Sequence, residues 1–227
     1  MNRDIYNEYV NILRDELRAA MGCTEPIAVA YAGALARKTL GTLPSLVELK
    51  VSGNIIKNVK RYYLIVPHTG GKKGLKVAVC AGICSGNADG ELEVLSDLSE
   101  SSIHEINAFM ETVTVEIAES DAKCPFDIQV RLFAGNESSF VRIVAHHTNV
   151  VRIEKNGDVI FQKPFSDEVI QPPENRKLLS VEEIVRFADE VDIRDVEDVL
   201  SRQIRCNTDI AEAGMCGGYG AEIGKIL

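Results

Sequence analysis

Between residues 113 and 163 the chain alternates apolar and polar side chains in five short segments, and this period of two limits the possible folds more than any other feature. Val113–Ala118, Phe126–Phe133, Ser139–Ala145, Asn149–Lys155 and Asp158–Lys163 each read as a strand with one face for a core and one for water. Asn156-Gly157, between the last two, is the residue pair best suited to the positive φ angles of a type I′ hairpin. Consecutive strands with short connections make an antiparallel meander. Its apolar face needs helices to cover it.

The rest of the chain supplies them. Ile5, Tyr9, Ile12, Leu13 and Leu17 fall at helical spacing within residues 4–20, and Gly22 is a natural stop. Thr24-Glu25-Pro26 restarts a helix, with Thr24 as the expected N-cap and proline tolerated in the first turn. Residues 27–40 are small, apolar and alanine-rich, which predicts a helix buried on most sides and closed by Gly41. Leu46–Val51 and Tyr62–Val66 read as strands, residues 67–71 as a polar loop, and Gly74–Cys84 as a helix. Helical patterning resumes at Leu92, Leu95 and Leu98 and continues through Ile103, Ile106, Phe109 and Met110. Beyond a surface connection at 166–177, Ser180 and Glu183 form a capping box for a helix through Glu190. A further helix is expected from Asp192 or Arg194 to about Arg205. The class is α+β: N-terminal helices, an antiparallel meander sheet with helices packed on it, and C-terminal helices. Residues 1–165 are expected to form one α+β domain. Residues 166–227 read as a helical segment that begins a C-terminal catalytic helical domain missing from this chain.

Composition narrows the function classes. An apolar fraction of 45% and a charged fraction of 26% suit a globular protein with a substantial core. The net charge of −9, with no basic cluster larger than a pair such as Lys72–Lys73, argues against nucleic-acid binding. The N-terminus lacks the apolar stretch of a signal peptide, and no segment approaches the ~18 apolar residues of a membrane span. A cytoplasmic location is the expectation. Six cysteines, Cys23, Cys80, Cys84, Cys124, Cys206 and Cys216, are then thiols, ligands or catalytic groups rather than disulfides.

Gly22-Cys23-Thr24-Glu25-Pro26 is the most informative stretch for chemistry. Cys23 immediately precedes a helix N-terminus, a position that lowers a thiol pKa and favours the nucleophilic, metal-binding thiolate. A small buried residue in a helix corner is an equally good account from local physics. Gly22-Cys23-Thr24-Glu25-Pro26-Ile27, followed by the alanine-rich helix, resembles the N-terminal motif of the L-cysteine desulfidase family, related to the alpha chain of iron–sulfur L-serine dehydratases. The resemblance continues through Val51-Ser52-Gly53-Asn54 with Lys57-Asn58, Val66-Pro67 with Thr69-Gly70, Gly86-Asn87-Ala88 with Leu92–Leu95, and His147-Thr148-Asn149. It implies a [4Fe–4S] cluster with Cys23 as one ligand and the remaining ligands outside this chain, because one cysteine cannot hold a cubane. It also implies β-elimination from an L-cysteine substrate to pyruvate, ammonia and sulfide, in a full-length enzyme of which this chain is an inactive part.

His147 is the candidate catalytic proton shuttle, at a break between two strands. Thr24, Glu25, Asn54, Lys57, Asn58, Thr69, Thr148 and Asn149 are the candidate substrate-binding residues. Each has a plainer reading: Thr148 and Asn149 as a turn bonding its own backbone, Asn54, Lys57 and Asn58 as a solvated turn, Glu25 as an acidic residue favouring the helix dipole. Cys80 and Cys84, and Cys206 and Cys216, lack the tight spacing of common metal sites and read as buried thiols. The alternatives are an L-serine dehydratase subunit, or a non-catalytic amino-acid-binding or regulatory module. A pyridoxal-phosphate lyase has no lysine of telling context to support it. The expected partners are a small amino-acid substrate, no nucleic acid and no membrane, with a homodimer left open.

Overall fold

The computed structural model describes residues 1–62, 65–165, 174–218, 222 and 224, with backbone alone at 60–62. The chain divides into two compact units, one of residues 20–170 and one combining residues 1–19 with 171–227.

The larger unit is built around a helix that cannot face water. α2 (Thr24–Leu40) consists almost entirely of small and apolar residues, and Ile27, Ala28, Val29, Ala30, Ala32 and Ala36 are all fully buried. One side of α2 packs on the sheet and the other on α4 (Leu75–Ser85), itself mostly Ala, Val, Gly and Cys. Small side chains let the two helices approach until backbone meets backbone. A Cβ placed on Gly33 would lie 2.8 Å from the Val79 carbonyl oxygen, and one on Gly82 would lie 1.9 Å from that of Ala30. α5 (Glu100–Thr112) packs on the far side of α4, so sheet and helices stack in layers.

The sheet has six strands in the order β2-β1-β3-β4-β5-β6. They are β1 (Leu46–Val51), β2 (Thr114–Glu119), β3 (Asp127–Ala134), β4 (Glu137–Val144), β5 (Val150–Lys155) and β6 (Asp158–Gln162). Register turns the period-two alternation into a core face. Leu49, Val130 and Val141 stand side by side across β1, β3 and β4, and Val51, Ile128 and Ile143 form the next row. Ser139 falls in the row of Val47 and Leu132, and its buried hydroxyl is satisfied by donating to the Ala36 carbonyl of α2 at 2.8 Å. The opposite face carries ion pairs: Glu154 accepts from Arg152 at 2.5 Å and Arg131 at 3.4 Å, and Arg142 donates to Asp127 at 2.6 Å. Asn156 and Gly157 take φ of 54° and 89°, as the I′ hairpin requires.

Three expectations need correction. The sheet is mixed, because β1 inserts between β2 and β3 and runs parallel to β2. Residues 53–62 form a helix, α3 (Gly53–Tyr62), where a polar turn and then a strand from Tyr62 were expected; Tyr63 and Leu64 of that expected strand lie outside the described residues. Ile55 and Val59, one turn apart, are buried and hold α3 in place. Finally, α1 (Arg3–Glu16) stops short of residue 20, and it falls in the compact unit that combines residues 1–19 with 171–227.

That second unit has a small core. Tyr6 and Tyr9 of α1 pack their rings on Phe187 of α6 (Val181–Glu190) at 5.5 and 5.2 Å, with Val10 and Val196 beside them. Tyr9 donates to the Leu178 carbonyl at 3.0 Å and Tyr6 to Asp195 at 2.6 Å. α7 (Glu197–Cys216) follows, and runs a further eleven residues past the expected end at Arg205. Among the described residues no helix is long and apolar enough to cross a membrane.

The contact between α2 and α4 leaves no room for a methyl group. Gly82→Ala is expected to destabilise the larger unit by about 3 kcal/mol or more, since overpacking a fixed backbone contact exceeds the ordinary range. Urea titration followed by circular dichroism measures this; an unchanged midpoint would show that the helices can move apart at little cost.

Candidate functional site

The N-terminus of α2 emerges at the end of the sheet where β1 and β4 finish and β3 begins. Gly22, at φ 104°, turns the chain into the helix, and Cys23 rather than Thr24 is the N-cap residue. Cys23 makes no side-chain capping bond. Its thiol instead donates to Glu25 Oε2 at 2.9 Å. The other carboxylate oxygen, Oε1, accepts from the side-chain amide of Asn58 on α3 at 3.0 Å. Thr24 is the first residue of α2.

The turn after β4 brings in His147. Ala145 adopts φ 73°, and its backbone N–H donates to the Phe126 carbonyl at 2.9 Å, tying the turn to the start of β3. Asn149 closes the turn by donating its side-chain amide to the Val144 carbonyl at 2.9 Å. Its backbone carbonyl accepts from Val144 N–H at 3.1 Å. So held, the His147 ring meets Phe126 edge-on with centroids 4.6 Å apart. His146 is exposed, and His147 is half-buried.

Electrostatics fixes the protonation states. Burial opposes ionisation of Glu25, yet hydrogen bonds from Cys23, its own backbone N–H and Asn58, with His147 nearby, hold the carboxyl below its ordinary range. Burial, then the hydrogen bond to Glu25, pushes the Cys23 thiol up to about 11. Burial also lowers His147; Glu25 pulls it back up, and His146 lowers it further. At neutral pH the cluster therefore holds a carboxylate, a protonated thiol and a neutral imidazole.

In the chain by itself the Cys23 thiol thus keeps its proton, where a metal-bound thiolate was the expectation. A helix N-terminus does favour an anion, but Glu25, whose carboxylate folds back on its own backbone N–H, takes that role. Among the described residues no three His, Cys, Asp or Glu side chains are placed to hold a metal ion. Cys80 is buried within α4, Cys84 is half-buried on the same helix, and Cys124 is buried with its thiol donating to the Phe126 carbonyl at 3.0 Å. Cys206 and Cys216 lie on α7 in the other unit. The donors present do not make a cluster site by themselves.

Of the expected binding residues, Glu25 and Asn58 join Cys23 and His147. Thr148 and Asn149 sit in the turn that holds His147, Asn149 with its side chain bound to backbone. Thr69 is buried and donates to Val66 O at 2.7 Å, which makes it part of a loop's own scaffold. Asn54 and Lys57 are exposed on α3. Phe126 was missed, although its place two residues before Ile128 put it at a strand start. The buried Asp127, which accepts from Arg142, Gln129 and Ser120, belongs to the ion-pair network on the other face of the sheet.

No protein-family model matches the chain. It is 46% identical over 222 residues to a UPF0597 protein of Desulfitobacterium hafniense, covering 98% of this chain and 51% of that one. It is 36% identical over 226 residues to a UPF0597 protein of Treponema denticola (99% and 52%) and 35% identical over 224 residues to one of Vibrio parahaemolyticus (98% and 52%). The chain thus spans about half the length of the curated relatives it matches. Relatives matching nearly all of its residues carry the UPF0597 name and not that of a desulfidase or dehydratase. The expected membership in the L-cysteine desulfidase and serine dehydratase alpha-chain family, and the iron–sulfur lyase function taken from it, are overturned.

Two titrations test the site. Glu25→Gln removes the charge that raises the Cys23 thiol and leaves only a neutral amide acceptor, so iodoacetamide at pH 8 should alkylate the variant faster, about tenfold for each unit the thiol falls. The same change removes what raises His147, so its imidazole should titrate lower still by proton NMR. Since the folded chain holds that proton more weakly than the unfolded one, the stability contributed by His147 is present above the ordinary value of 6.5. It is lost as pH falls from there through the folded value. Equal acid sensitivity of the wild type and His147→Gln would contradict the assignment.

Proposed function

We propose that Cys23, Glu25, Asn58 and His147 form an acid–base site for a small polar molecule, and that the chain is the site-bearing part of an enzyme catalysing proton transfer. The observation that carries this reading is a neutral, half-buried imidazole electrostatically coupled to a carboxylate that is held ionised by the Cys23 and Asn58 hydrogen bonds. His147 is the proton acceptor. Glu25 offers the field that stabilises the imidazolium as it forms, and its oxygens are already occupied, which suits an orienting group better than a base. The Cys23 thiol, up to about 11, is a proton donor and hydrogen-bond donor rather than a nucleophile. Phe126 holds the imidazole edge-on and restricts its rotation.

A site of this kind abstracts a proton from carbon or oxygen next to an electron-withdrawing group. Deuterium wash-in from D₂O into a panel of small carbonyl compounds, followed by proton NMR, tests it. Exchange of at least one compound above the solvent rate is expected, with His147→Gln reducing it by about 10²–10⁴-fold and Cys23→Ala reducing it less. Exchange indifferent to both substitutions, or no exchange in any compound, would leave the cluster as a clamp joining α2 to α3.

A further inference from the structure

α7 is twenty residues long and none of them is buried. Its first turns touch the small core through Val199 and Leu200. Beyond that, Ile204 is 63% exposed and Met215 56%. Leu200, Ile204, Ala211 and Met215 follow each other at steps of four, seven and four, which places them on one side of the helix. Ile204 and Ala211, with Thr208, also line a groove along α7 rimmed by Gln203, Asn207 and Glu212. The feature recurs on α6, where Val181 and Val185, one turn apart, are 80% and 55% exposed.

A helix of this composition does not hold itself together in water. Isolated helices are marginal even when rich in alanine, and Ile204, Thr208 and Ile210 are β-branched residues of lower propensity. Helical stability comes from burying an apolar stripe, and among the described residues only Gly224, against Met215, comes close to this one beyond the first turns. The relatives supply the candidate cover. Matches take in 95–99% of this chain but only 49–53% of each relative, so each relative carries about as much polypeptide again outside the matched part.

We propose that the Leu200–Ile204–Ala211–Met215 face of α7 is the docking surface for that other half of the relatives' polypeptide, which presents an aliphatic face to it. A second copy of this chain is the competing occupant. The face is apolar at Leu200, Ile204, Ala211 and Met215 and polar at Asn207 and Thr208 between them, so the partner meets both kinds of surface. It does not depend on the chemistry proposed for Cys23 and His147.

Hydrogen exchange by mass spectrometry, run on this chain and on the full-length Desulfitobacterium hafniense relative, tests it with proteins as they exist. The chain should sediment as a monomer, and amides of its α7 beyond Ile204 should exchange at least tenfold faster than those of the matching segment in the relative. Replacing the relative's residue at the position of Ile204 by Glu should abolish that protection while leaving the matching sheet strands protected. Three results overturn the proposal: equal protection in the two proteins, protection unaffected by the Glu substitution, or a dimer of this chain that Ile204→Glu dissociates, which would assign the face to a second copy.

Discussion

The close crossing of α2 over α4 is the contact on which the larger unit depends. A sheet with one apolar face needs a helix against it, and that helix must in turn be covered if it is apolar all round. Alanine and glycine solve both problems together, since small side chains bring α4 within van der Waals reach of the α2 backbone. The Gly33 and Gly82 positions fix where the helices cross, and the Ser139 hydroxyl bonded to Ala36 fixes how α2 lies on β4. With its axis set at these points, the N-terminus of α2 has one place to emerge, beside the turn after β4. The position of Cys23 and Glu25 relative to His147 is therefore a consequence of core packing. Loop flexibility has little part in it.

Within the site, a single negative charge decides the remaining chemistry. A helix N-terminus and a cluster of hydrogen-bond donors can stabilise one anion well, but a thiolate 2.9 Å from a carboxylate would place two like charges in contact. The group with the lower intrinsic pKa ionises and the other keeps its proton. Glu25 wins that competition, so Cys23 becomes a donor to it, and the same carboxylate moderates the effect of burial on His147. Anything that neutralises Glu25, whether a proton or a cationic group brought close to it, would release the thiol toward ionisation. The reactivity of Cys23 is thus conditional on its neighbour two residues along.

Period-two alternation made β3 to β5 legible, with boundaries within two residues, because each has a wetter and a drier face; β6, exposed at every position, was legible from its own pattern and the Asn156-Gly157 hairpin. Strand order was not legible in the same pattern. Nothing local in Leu46–Val51 says that it lies between β2 and β3, since the pairing is settled by the crossover through α3, α4 and α5. α3 was obscured by Gly53 and Asn54, residues that read as a turn, although Ile55, Ile56 and Val59 carry helical spacing. At the site, Cys23 was singled out by its place before a helix and Glu25, Asn58 and His147 chiefly through the resemblance; the structure places these four near one another. The protonation state of Cys23 was not legible, because it depends on which of two neighbouring acids occupies the helix end, and that is a matter of side-chain geometry. Thr69 shows the opposite failure: a polar residue in a glycine-rich loop invites a ligand, yet its hydroxyl is used up by Val66.

The smaller unit obeys a different energetic rule from the larger one. Its described core rests on Tyr6, Tyr9, Val10, Phe187 and Val196, a set too small to offset the ordering of some seventy residues at about 1–2 kcal/mol of backbone entropy each. Hydrogen bonds from Tyr6 and Tyr9 add direction but little net free energy. Aliphatic residues on α6 and α7 that would ordinarily complete such a core face outward instead. Scattered singly they would mean nothing, but at helical spacing along two helices they amount to the unburied part of a larger hydrophobic core. The docking proposed for α7 would add apolar surface to this region from outside it, whereas the larger unit closes its own core between sheet, α2 and α4.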